Sequence, residues 1–266
     1  MNNQVSSPVA TLADLLHVCG VPAGHPREAA SMPVHWRSLQ AGASLVHEGA
    51  PADAIFFVRA GTFKVFRTDE DGYEQVLAFA TRGEVLGFDA LCMESYPAAV
   101  LALEASSVFV IPRREIGPLG QALPTFALAL QQAGSLSLTR SRELVDVLAA
   151  VASEVRLARF LIQLSRRMAA CGQSPRQFHL RMGRREMASL LGVAHETVSR
   201  CFGALAAMGL LQVDDRNVEI LDMAGLKAFS RRTRRPMDDA APLRSRSPIA
   251  RRPSAERYTA AHVLAA

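Results

Sequence analysis

Cysteine is scarce in this 266-residue chain: four residues, Cys19, Cys92, Cys171 and Cys201, with no C-x-x-C pair among them. That excludes a disulfide-stapled scaffold and a sequence-local zinc site, and it suits a reducing compartment. No apolar run approaches the ~18 residues that cross a bilayer, so no membrane partner is expected. The opening MNNQVSSPVATLADLLHVCG has no basic start and no long apolar stretch, so no secretory leader is read there and a cytoplasmic location is expected. Gly-rich phosphate loops, G-x-S-x-G, H-E-x-x-H and paired carboxylates in a plausible cleft are also missing, which argues against an enzyme. Lysine is nearly absent, with only Lys64 and Lys227. Arginine therefore carries the basic character, and where an arginine sits says more than its identity.

What is present is a globular composition, 49% hydrophobic and 21% charged, long enough for one large or two ordinary domains. The net charge of +5 is unevenly spread. Residues 156–200 hold nine arginines against Glu186 and Glu196, and residues 227–257 hold ten Lys/Arg against three acidic residues. Two such basic zones are the electrostatic footprint of a binder of phosphate backbones.

The pattern along the chain predicts an α+β fold. Residues 1–30 are Ala/Pro/Ser-rich with weak periodicity and read as a flexible arm. Residues 31–117 contain short apolar runs (SLVHEG, AIFFVRAG, TFKVFRTDEDG, EQVLAFATRG, SVFVIP) punctuated by Gly49, Gly61, Gly72 and Gly83. Regular short strands with glycine turns predict a sandwich or roll. Residues 118–152 read as a long helix. Leu138, Val145 and Ala152 fall seven apart, and Ser141, Leu148 and Val155 interleave with them. That seam suits either dimerisation or packing on the chain's own core. Residues 153–226 read as a helix (Glu154–Ala170), a strand (Phe178–Met182), a helix (Arg184–Leu191), a Gly192–Val193 turn, a helix from Ala194 or His195 to Met208, and a small hairpin, LLQV and VEIL around DDRN. After Asp222 the pattern fades, and residues 227–266 read as a basic disordered tail.

Helix, short glycine turn, helix and wing make a winged helix-turn-helix. On the second helix Val198, Phe202 and Leu205 form one face. His195, Glu196, Ser199 and Arg200 share the other, near the N-terminal end that enters a major groove. Arginine donates two hydrogen bonds to guanine and glutamate accepts from cytosine, so this row is suited to reading base edges in double-stranded DNA. Glu196 and Arg200 also stand four apart, a spacing at which an ion pair worth about 0.2–0.5 kcal/mol would pre-orient Arg200.

With these residues in view, 30–225 resemble the Crp/Fnr family of bacterial transcription regulators. HEGAPADAIFFVRAGTFKVFRTDEDGYEQVLAFATRGEVLGFDAL is similar to the family's cyclic-nucleotide-binding-like β-roll, and SPRQFHLRMGRREMASLLGVAHETVSRCFGAL to its DNA-binding domain. ETVSR together with GEVLGFDAL places the chain nearer the FNR branch. The resemblance implies a homodimer joined along the helix near 125–152, a palindrome of TTGAT-like half-sites, contact with RNA polymerase, and control of genes for oxygen limitation or redox metabolism. It implies base readout by Glu196, Ser199 and Arg200, with His195, Thr197, Arg184 and Arg185 completing the DNA-contact set. The departures are as informative. Phe88 stands where the cyclic-AMP branch has a glutamate, and Tyr96-Pro97-Ala98-Ala99 replace its Arg-Ser pair, so a nucleotide phosphate would meet no cation there. An iron–sulfur cluster needs about four thiolates, whereas the arm offers only Cys19 and Phe109 occupies the place of the β-roll cysteine. Gly183 replaces a helix-capping threonine. No cofactor is therefore expected, neither cluster, haem nor cyclic AMP.

Three signalling routes remain open to the sequence: no small effector at all, a redox switch at Cys201 beside Arg200, or haem ligation by His17, His25, His35 or His47. A β-roll module that regulates a partner protein is the competing function, and intact Glu196, Ser199 and Arg200 speak against it. Removing residues 231–266 is expected to weaken all DNA binding and to flatten its dependence on salt, because a basic tail adds counterion release without base contacts. An unchanged salt slope in a binding titration would make the tail a bystander.

Overall fold

The computed structural model describes residues 10–21, 29 and 31–232. Most of the expected tail, the first nine residues and His25 lie outside the described residues. Strand β1 (Ala10–Thr11) leads into helix α1 (Leu12–Val18). The strands β2 (Pro33–Leu39), β3 (Ser44–Val46), β4 (Ala54–Ala60), β5 (Phe63–Thr68), β6 (Glu74–Ala80), β7 (Val85–Leu86), β8 (Ala99–Ala102) and β9 (Ser106–Pro112) follow. Helices α2 (Arg113–Ala122), α3 (Pro124–Leu148) and α4 (Ser153–Ala170) come next. They are followed by β10 (Gln177–His179), α5 (Arg184–Leu191), α6 (His195–Ala207), β11 (Leu211–Asp214), β12 (Asn217–Ile220) and α7 (Met223–Ser230).

The expected roll is two antiparallel sheets, ordered β1-β2-β9-β4-β7 and β3-β8-β5-β6. Phe56, Val58, Phe63, Val100 and Val108 fill the space between them. β4 reads as a continuous apolar run because both of its faces are covered. Phe56 and Val58 point into the roll, while Ile55 and Phe57 join Phe109 and Ile111 under α1 and α3. At the β4–β5 turn Gly61 combines a φ of +92° with close approach to Ser106, so no larger residue fits there. A bulge at Leu77 of β6, opposite Val65 and Phe66 of β5, brings Val76 and Phe79, three residues apart, into the core of the C-terminal unit.

Three expectations are corrected. The flexible arm is folded where it is described: β1 pairs with β2, and Leu12, Leu15 and Leu16 are fully buried. Thr11 and Asp14 close a capping box at the start of α1, the Thr11 N–H donating to the Asp14 carboxylate at 2.8 Å. That bond holds the Asp14 carboxyl below its ordinary range. The apolar period i, i+3, i+4 was present, but a seven-residue helix spans too few turns for it to stand out. Second, order does not stop at Asp222. Asp222 caps α7 by accepting from the Gly225 N–H at 2.9 Å, and Leu226 and Phe229 enter the core, so residues 227–230 belong to the fold.

Third, the helical seam is shorter than the sequence suggests. Leu123 is extended ahead of Pro124 and separates α2 from α3. Leu138 (54% exposed) and Val145 (66%) face solvent, whereas Ala152 and Val155 are buried in the C-terminal core. The chain leaves helical geometry after Leu148, and the heptad passes from an outward face to an inward one.

If the α1 segment is integral, Leu15→Ala lowers the stability of the chain by about 2–5 kcal/mol in urea unfolding. A loss below about 0.5 kcal/mol would mark it as a loose arm after all.

Candidate nucleic-acid interface

α5 buries Met187, Leu190 and Leu191 and ends at Gly192, whose left-handed φ of +62° turns the chain for α6. α6 buries Val198, Cys201, Phe202 and Leu205. Helical geometry then carries His195, Glu196, Ser199 and Arg200 to the outside, where all four are exposed, with Thr197 partly buried at the edge of the row. Arg185 is exposed on α5. Ala194 gives α6 no side-chain cap, and in the first turn the Thr197 N–H turns back to the Ala194 carbonyl at 3.0 Å.

Within the row the pairing differs from expectation. Glu196 pairs with His195 (Nδ1–Oε1 3.0 Å), and among the described residues Arg200 makes no ion pair. Its own backbone N–H, then His195, hold the Glu196 carboxyl below the usual glutamate range. Arg200 is thus free of intramolecular competition for a base. Arg184 is not part of the exposed row. Its guanidinium lies 3.7 Å from the Phe202 ring centroid and donates to the Asp215 carbonyl at 2.9 Å. Burial lowers its pKa. Arg184 therefore ties the wing turn to α6 rather than reaching outward. At Gly183 half a capping box survives: the Gly183 N–H donates to Glu186 at 2.7 Å, and glycine has no side chain to return the bond.

Two placements lay beyond sequence reasoning. Ser189 of α5 docks on β6: its hydroxyl accepts from the Val76 N–H and donates to the Glu74 carbonyl, each at 2.8 Å, and Gln75 donates to the Ser189 carbonyl at 2.9 Å. Beside it Lys64, only 5% exposed, bridges Glu74 (2.6 Å) and Glu186 (3.4 Å). A lone lysine among the apolar residues of β5 was the available signal.

The residues present do not fit the cofactors of the wider family. Among the described residues, no group of three or more His, Cys, Asp and Glu side chains could hold a metal ion. Burial pushes the Cys19 thiol up to about 12, the wrong direction for a thiolate ligand. Phe109 is fully buried in the core beneath α1 and α3. The Phe88 ring packs against Gly134 of α3, where an added Cβ would come within 2.6 Å of it. The Tyr96 hydroxyl is already engaged with the Ala54 carbonyl at 2.7 Å. Phe88 and Tyr96 line a cavity of about 380 Å³ whose walls also carry Arg140, paired with Glu84, and Arg167, two cations that the sequence reading did not place there. His17, His35 and His47 are exposed on the surface, so no apolar haem pocket surrounds them. Cys201, expected beside DNA as a redox switch, is 2% exposed and faces the domain core, where oxidant and phosphate do not reach; that role is withdrawn.

A sensor roll joined to a winged helix with an outward polar row defines a DNA-binding transcription regulator, a protein without enzymatic chemistry. Residues 36–121 match the family model of the Cyclic nucleotide-binding domain and residues 155–229 that of the Crp-like helix-turn-helix domain. The transcriptional regulatory protein Btr of Bordetella pertussis is 35% identical over 79% of this chain and 88% of that one. The fumarate and nitrate reduction regulatory protein of Salmonella typhimurium is 32% identical over 74% of this chain and 79% of that protein. The chain belongs to the Crp/Fnr family of transcription regulators. In fold it is similar to FixK2 of Bradyrhizobium japonicum, with a TM-score of 0.66 and 24% identity, covering 76% of this chain and 99% of that structure. No helix among the described residues is long and apolar enough to cross a membrane.

The cysteine placements make a direct prediction. With a thiol reagent such as DTNB, the exposed Cys92 and Cys171 react at once in the native protein, the partly exposed Cys19 with its raised pKa reacts slowly, and Cys201 reacts only on unfolding. Rapid labelling of Cys201, mapped by peptide mass, would restore it as a redox candidate.

Proposed function

We propose that the chain acts as a homodimer that binds a palindrome of TTGAT-like half-sites, Glu196, Ser199 and Arg200 reading base edges and Arg185 meeting phosphates. The observation that carries this reading is the exposed, unpaired Arg200 at the N-terminal end of α6, in a row with Ser199 and Glu196. Dimerisation along α3 is supported by Leu128, Leu138 and Val145, large apolar side chains left exposed on one helix. Control of genes for oxygen limitation or redox metabolism is supported by relatives whose names refer to fumarate and nitrate reduction and to anaerobic regulation. Recruitment of RNA polymerase is the corresponding output. Regulation proceeds without an iron–sulfur cluster or cyclic AMP, in keeping with the buried Phe109, the raised Cys19 thiol and Phe88 on Gly134.

In a binding titration at fixed salt, wild-type protein prefers the matched palindrome to a scrambled one. Arg200→Ala loses about 1–3 kcal/mol and its preference at the guanine of each half-site. Equal affinity of the wild type for matched and scrambled duplexes would refute base readout by this row.

A further inference from the structure

His195 opens α6 and stands ahead of Glu196, Ser199 and Arg200 on the same outward face. Side chains of a helix lean toward its N-terminus, and a recognition helix meets base edges by that end, so the imidazole leads the row. Its side chain is 47% exposed, enough to touch a base without unfolding anything around it. The ring is not free to choose its tautomer. Nδ1 lies 3.0 Å from the Glu196 Oε1. A carboxylate only accepts, so Nδ1 carries a hydrogen. In the neutral ring the other nitrogen, Nε2, is then a bare acceptor. The cations of the adjoining turn and helix do not compete for this carboxylate. Arg156 of α4 donates to the Leu191 and Gly192 carbonyls, at 2.9 and 3.3 Å, and Arg184 is held by the Phe202 ring and the Asp215 carbonyl. A carboxylate has two oxygens, so the pair with His195 does not use up Glu196.

An acceptor at the leading end of a recognition helix selects bases that offer a donor. In the major groove those donors are the exocyclic amino groups, N6 of adenine and N4 of cytosine, whereas guanine and thymine present acceptors. We infer that His195 is a specificity-determining residue: its Nε2 accepts a hydrogen bond from an adenine or cytosine amino group, and Glu196 fixes the tautomer that makes it an acceptor. This assignment rests on the reading of α6 as the base-reading helix. Five residues separate His195 from Arg200, a rise of about 7.5 Å along the helix, or roughly two base-pair steps of about 3.4 Å. The pair read by His195 therefore lies about two steps from the guanine assigned to Arg200. A role on the phosphate backbone fits less well. Phosphate oxygens only accept, and the outer nitrogen of the neutral ring has no hydrogen to give.

The test is a binding scan of the full chain at pH 8, where imidazole rings are ordinarily neutral. Each position of the TTGAT half-site is changed symmetrically to all four base pairs, and wild type, Arg200→Ala and His195→Ala are compared. Wild type is expected to discriminate by about tenfold at the pair two steps from the guanine, favouring adenine or cytosine on one strand. His195→Ala removes that discrimination and keeps the guanine preference. Replacing the favoured base by its analogue without the amino group, purine for adenine or 2-pyrimidinone for cytosine, weakens wild type about tenfold and leaves His195→Ala unchanged. In ¹⁵N spectra the His195 ring, assigned by its loss in His195→Ala, shows the Nδ1–H tautomer in wild type and loses it in Glu196→Ala. An Nε2–H tautomer in wild type overturns the assignment. So does full affinity for the amino-free duplex, a His195→Ala profile equal to that of wild type, or one weakened alike on every duplex, which would make the ring a backbone contact. Those results leave the guanine preference of Arg200 standing. Equal affinity of wild type for matched and scrambled palindromes would instead remove the reading of α6 and this assignment together.

Discussion

β6 is the edge strand of its sheet, and an edge strand pressed against another domain must find partners for its outward N–H and C=O groups. One hydroxyl supplies both at the centre of the contact. Ser189 accepts from Val76 and donates to Glu74, and Val76 and Phe79 beside it enter the core of the DNA-binding unit. Lys64 reinforces the contact from the buried side by facing a carboxylate from each half, Glu74 and Glu186. Because α5 is held this way and α6 follows after a three-residue turn, the orientation of the polar row relative to the sensor rests on this junction.

The row itself illustrates how a short helix separates structural from recognition residues. Cys201 and Phe202 follow Arg200 in the chain, yet they face the core, and the side chains available to DNA come from the opposite face of the same two turns. Arg184 and Arg185 divide the same way. Arg184 is spent on Phe202 and the wing, and Arg185 is left to solvent. Counting arginines would credit both, but only Arg185 is left exposed.

The roll presents Phe88 and Tyr96 to a cavity that lies against α3. Phe88 and Gly134 close part of it, Glu84 and Arg140 cross-link the roll to α3, and Arg167 donates to the Phe79 carbonyl of β6 at 3.2 Å.

By itself the sequence determined the two-domain architecture, most helix and strand positions from β3 to β12, and the outward row on α6. These follow from local rules: periods of 2 and 3.6 sustained over several turns, and glycines where the backbone needs positive φ. α1 and the start of the tail were misread because two turns of helix carry too little periodic signal, and the seam was overextended because a heptad does not record where a helix bends into a core. Only the tertiary structure decided that Cys201 is buried, that Arg184 packs inward, that Glu196 pairs with His195, and that Ser189, Lys64, Arg140 and Arg167 matter at all. The partners of the last four lie up to 122 residues away in the chain, and a polar side chain acquires its role from what the fold brings to it.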